Sequence, residues 1–197
     1  MLSYLSAENG FLKTFGNRCL ILLFLAILVR TGGELGGKAS ALGISLDITQ
    51  GAILSVSPIL TLLFMTSLKL EADNLREARK AVTSDFENYK YRFGKNPVIW
   101  YFLFLFPAVE SLFFTYQFVI NLIPASETCA GFSRLRQLTD FSLLSGGPSM
   151  FCIGDRAEKM PWIYPPLQSH IYILCTAATG FIGYRIARDW PKFRGRI

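Results

Sequence analysis

Apolar positions in this chain come in long runs, not in the alternation of a soluble fold. Residues 98–120 read VIWYFLFLFPAVESLFFTYQFVI, 23 residues with Glu110 as the one carboxylate or basic side chain among them. At 1.5 Å per residue that is roughly 34 Å of helix, against about 30 Å of bilayer hydrocarbon. The run predicts a transmembrane helix, opened by Asn96-Pro97. Three more spans follow from the same pattern, at about 15–32, 44–68 and 170–186. The first has a short apolar core, 19–29, bracketed by Arg18 and Arg30, and both arginines are expected to snorkel. Pro58 and Pro107 each remove a backbone N–H and should bend their helices. Ser55 and Ser57 stand ready to satisfy the backbone freed by Pro58.

The segments between spans are of different kinds. Residues 31–43 are glycine-rich and read as a short external loop. Residues 69–95 are charged but periodic. Leu75, Ala78, Val82, Phe86, Tyr89 and Phe93 recur at steps of three and four, one apolar face of a helix. Two readings fit that face: a docking surface for a cytosolic protein or sister subunit, and a linker folded back on the bundle. Residues 124–168 hold Gly146-Gly147-Pro148 and the run Pro161 to Pro166, which exclude a regular helix over much of their length. They are expected to form an external cap. Cys129 and Cys152 lie within it and form a natural disulfide pair if that side is oxidising. Cys19 and Cys175 fall in apolar runs and read as small hydrophobes.

Composition supports the bilayer. The 197 residues are 51% hydrophobic and 17% charged, against about 25% charged in soluble domains. One small all-α domain of four transmembrane helices accounts for the length. The net charge of +6 would suit nucleic acid, but its distribution sets orientation instead. With both termini inside, 14 of the 20 bases are cytosolic. The expectation is a multi-pass protein of a bacterial inner membrane, with both ends cytosolic and no direct nucleic-acid partner. The same orientation puts Cys129 and Cys152 on the oxidising side.

Candidate chemistry is sparse. Glu110 sits halfway along its span, where a buried charge is expensive and a carboxylate is a functional candidate by default. Gln117 and Asn121 are 7 and 11 residues on and share its face. That polar stripe would look into a bundle, as a hydrogen-bonded seam between subunits or as a lining for ions. Thr179, Gly183 and Ala187 are small residues at four-residue spacing, the pattern of close helix contact. The single histidine, His170, is expected at the external end of the fourth span facing Asn121, and Asp47 is expected to pair with Arg30 or Lys38. No nucleophile elbow, zinc-protease pair or phosphate loop occurs, so neither an enzyme nor a cofactor is expected.

Three functions remain: a self-associating scaffold or sensor that holds a cytosolic protein, a small oligomeric ion channel, and an accessory subunit of a larger membrane complex. The layout, with two spans on either side of LEADNLREARKAVTSDFENYKYRF and both termini cytosolic, resembles the membrane subunit of the Kiwa anti-phage defence system. The resemblance is one of layout over the whole chain, and no functional residue is carried over from it. It implies a homo-oligomeric sensor of phage attack acting through a soluble partner.

Overall fold

The structure is a computed structural model, and it describes residues 2–31, 38–41, 44–47, 49–80, 97–123, 150–153, 156–159 and 165–193. Among these, four long helices carry the fold: α1 (Leu2–Thr31), α2 (Gln50–Lys80), α3 (Pro97–Asn121) and α4 (Pro165–Phe193). Three of them are long and apolar enough to cross a membrane, over Ser6–Thr31, Gln50–Ala78 and Val98–Asn121. Their outward faces carry Leu20, Phe24, Phe102, Leu112 and other large apolar side chains. An apolar exterior on that scale suits a hydrocarbon surround, so the chain reads as a membrane protein.

Local sequence fixes the helix starts. The Thr49 hydroxyl accepts from the Ala52 N–H at 3.1 Å, and its carbonyl accepts from the Ile53 N–H. Thr49 is therefore the N-cap of α2. Pro97 opens α3, where a missing N–H costs nothing.

Packing is organised in two apolar clusters, each built from all four helices. One gathers Phe11 and Phe15 of α1, Met65 and Leu68 of α2, Trp100 and Phe104 of α3, and Trp190 of α4. The other gathers Leu22, Leu54, Phe114, Phe118 and Tyr172. The first cluster joins the beginnings of α1 and α3 to the ends of α2 and α4. The helices thus alternate in direction, the up-and-down order that short connections produce.

Several expectations change. Alongside the helices are two small sheets that the all-α reading did not contain. β1 (Lys38–Ala41) and β2 (Ile44–Asp47) form an antiparallel hairpin whose register sets Lys38 opposite Asp47. β3 (Leu122–Ile123), β4 (Met150–Ile153) and β5 (Arg156–Lys159) form an antiparallel sheet in the order β3-β4-β5. Residues 44–47 are therefore strand, and the second helix begins at Gln50. The first helix extends well before residue 15, because Phe11 and Phe15 are buried against Phe104, with Phe15 and Phe104 ring centroids 5.1 Å apart. The cap expected over 124–168 contributes β4 and β5, and α4 starts inside it at Pro165.

Candidate functional site

The polar residues within the bundle fall into separate groups between and around the two apolar clusters. At Pro58, which is buried inside α2, the Ser57 hydroxyl donates to the Ile53 carbonyl at 2.6 Å and Thr61 donates to the Ser57 carbonyl at 2.7 Å. The hydroxyl of Tyr172 donates across to the Ser55 carbonyl and itself accepts from Gln168 Nε2. The proline-interrupted turn of α2 is thus tied to α4 by a tyrosine. The Ser55 hydroxyl takes no part in this.

The α3–α4 seam is held differently. Thr176 shares hydrogen bonds with Ser111 at 2.8 Å and with Thr115 at 3.0 Å. Two turns along, Gly183 lies so close to α3 that an added Cβ would stand 2.3 Å from the Phe104 carbonyl oxygen. Thr179, Gly183 and Ala187 are all buried, so the small-residue stripe faces the bundle. Only glycine permits the approach at 183.

Glu110 is 5% exposed, and neither of its carboxylate oxygens has a hydrogen-bond partner. Cys19 of α1 is within electrostatic reach of it. The carboxyl is therefore enclosed by a single chain. This alters the expected stripe. Gln117 and Asn121 are half-buried and bond to each other, Asn121 Nδ2 donating to Gln117 Oε1 at 3.5 Å. Glu110 is covered by its own chain and stands apart from that pair.

Arg18 is the group that sequence reasoning misplaced. It does not snorkel to the surface. Its Nη1 donates to the Phe64 carbonyl at 3.1 Å, and its Nη2 donates to Ser67 Oγ at 3.2 Å and to Glu71 Oε1 at 2.9 Å. The guanidinium also lies over the Phe64 ring, 5.8 Å from its centroid. One arginine thus binds α1 to three successive turns of α2. The clue was available: a base inside an apolar helix seeks a carboxylate on a neighbouring one. Lys69 and Asp73 form a second pair, within α2.

The proposed docking face divides. Leu75 is buried in the first apolar cluster and is not available to a partner, which corrects its assignment. Ala78 is exposed. Val82, Phe86, Tyr89 and Phe93 lie outside the described residues. Cys152 is buried on β4, and the free thiols among the described residues are Cys19 and Cys175. Cys129 lies outside the described residues. His170 is exposed, with Nδ1 2.6 Å from the Pro166 carbonyl oxygen of its own helix. Among the described residues, no group of three metal-ligating side chains gathers. No family model, curated protein or solved structure matches this chain.

Proposed function

We propose that the protein is a non-enzymatic, four-span scaffold or sensor of a bacterial inner membrane. Both termini are cytosolic, copies of the chain associate, and a soluble partner docks on the charged extension of α2. The observation that carries this reading is the length of α2. Its 31 residues make roughly 46 Å of helix, about ten residues more than the hydrocarbon requires. The excess is the charged end, Glu71 to Lys80, and Leu75 anchors it to the aromatic cluster. A charged helix fixed at its base and leading into a further apolar repeat is built to hold something outside the bilayer. The bias of 14 of 20 bases supports the cytosol as the side on which it stands. The likeness of layout to the Kiwa membrane subunit supplies the stimulus we assign, phage attack at the membrane. A Cys129–Cys152 disulfide on the opposite side belongs to the same reading.

A photo-crosslinking residue at Ala78 tests it. In the native host it should capture one soluble protein of defined mass, and Phe86→Ser with Tyr89→Ser should abolish the adduct while leaving insertion intact. Adducts only to lipid or to a second copy, or an adduct unchanged in the double variant, would refute the docking reading. A second reading, a small channel, rests on the partnerless oxygens of Glu110. Ion flux into vesicles that disappears in Glu110→Gln would favour it.

A further inference from the structure

The helices α1 and α3 share the aromatic cluster at one end but do not close along their length. Between them lies a groove of about 560 Å³. Leu12, Gly16, Cys19 and Leu23 of α1 form one wall, and Leu103 and Phe106 of α3 form the other. The size is within the range of small-molecule sites, roughly 300–1,000 Å³. Gly16 leaves it open: a Cβ there would meet nothing within 4 Å.

The lining is apolar, and an acid follows one turn beyond Phe106 on α3. Leu103, Phe106 and Glu110 are spaced by three and four on α3 and share one face. Cys19 lines the groove and is also the electrostatic neighbour of Glu110. The two oxygens of that acid are buried with no donor. A carboxyl group removed from water without a partner is costly, and a cationic donor brought to it recovers a charge-assisted hydrogen bond. An ordinary acyl chain fills the groove but leaves this acid as it is.

We propose that the α1–α3 groove is a site, entered from the lipid side, for a single-chain lipophilic amine whose ammonium is read by Glu110 and whose tail lies along Gly16 and Leu103. Charge complementarity selects this occupant over a neutral chain. The site does not depend on the docking of a soluble partner.

The test is native mass spectrometry of the full chain in mild detergent, titrated with dodecylamine and separately with dodecanol. The wild type should take one saturable equivalent of the amine, at least tenfold more tightly than the alcohol. Glu110→Gln should erase that preference. Gly16→Leu, which puts a side chain into the groove from a position where a Cβ meets nothing within 4 Å, should weaken the amine at least tenfold. In a Cys175→Ser background, dodecylamine should also slow maleimide labelling of Cys19. Equal binding of amine and alcohol would overturn the proposal and leave a groove that holds any acyl chain. Amine affinity unchanged in Glu110→Gln would overturn the role of the acid. A dimer that Gly16→Leu dissociates, with no amine bound, would assign the groove to a second copy and also overturn it.

Discussion

Alanine at position 183 is the sharpest test of the packing. The new Cβ would stand 2.3 Å from the Phe104 carbonyl oxygen and 3.2 Å from its carbon. A normal carbon–oxygen contact is about 3.3–3.6 Å, so the helices must separate by about 1 Å. The atom in the way is backbone, and no rotamer change relieves it. The Thr176 bonds, seven residues off or about 10 Å along α4, share the seam. A separation of about 1 Å would take them from 2.8 and 3.0 Å beyond hydrogen-bonding range. Overpacking costs about 1–3 kcal/mol, and each interhelical bond in a membrane bundle adds about 0.6 kcal/mol. The expected loss is about 2–4 kcal/mol.

Gly180 supplies the control, on the same helix and one turn earlier. A Cβ there would meet only Ala108 Cβ, at an ordinary 3.7 Å. Gly180→Ala should match the wild type or exceed it by up to about 1 kcal/mol, because glycine weakens a helix interior. The assay is thermal unfolding in mild detergent followed by tryptophan fluorescence, since Trp100 and Trp190 sit in the aromatic cluster with ring centroids 5.2 Å apart. At roughly 2–4 °C per kcal/mol for a chain of this size, Gly183→Ala should melt about 4–16 °C lower. If the two variants melt within about 1 °C of each other, the close approach of α3 and α4 is refuted.

Three further outcomes follow from the same geometry. Thr176→Val removes two hydroxyl bonds and should cost about 1 kcal/mol, whereas Ser111→Ala removes one and should cost about half as much in the same melt. Arg18→Met should cost about 1–2 kcal/mol by losing three acceptors at once, while Glu71→Gln, with its side chain 37% exposed, should cost under about 1 kcal/mol. The Arg18→Met, Glu71→Gln double variant should lose less than the sum, and simple additivity would remove the pair from the account. Cys129 should resist a membrane-impermeant maleimide until reductant is added, and labelling without reductant would exclude a pairing with Cys152.

How much of this was written in the sequence depends on how local each cause is. The span expected at 98–120 matches α3 at Pro97–Asn121 because its signal, an unbroken apolar run after a proline, lies wholly within it. The start of α1 was not legible in the same way. Residues 2–14 are mixed in character, and what makes Phe11 part of a helix core is its stack on Trp190, 5.2 Å away and 179 positions along the chain. Leu75 shows the same limit from the other side. Its periodicity marked an apolar face correctly, but periodicity names no partner, and the bundle itself covers it. The strands at 38–41 and 44–47 read KASA and ISLD, which do alternate, but over four residues each with small side chains on one of them, a signal too short to stand out beside the apolar run that follows.

Glu110 illustrates what helix register adds to composition. An acid in the middle of an apolar span is visible at once, and counting turns puts Gln117 and Asn121 near its side. Yet Ser111, the very next residue, is turned to α4 through Thr176, while Glu110 reaches the neighbourhood of Cys19 on α1. The two side chains diverge by about 100° around the axis, and that angle separates their environments. Ser111 joins a seam fixed by hydroxyl bonds and a glycine contact. Glu110 stands near the α1–α3 groove, where α1 is held to α3 by aromatics at one end and to α2 through Arg18. The unsatisfied acid and the unfilled groove therefore lie on neighbouring turns of α3, Phe106 lining the groove and Glu110 following it by four residues.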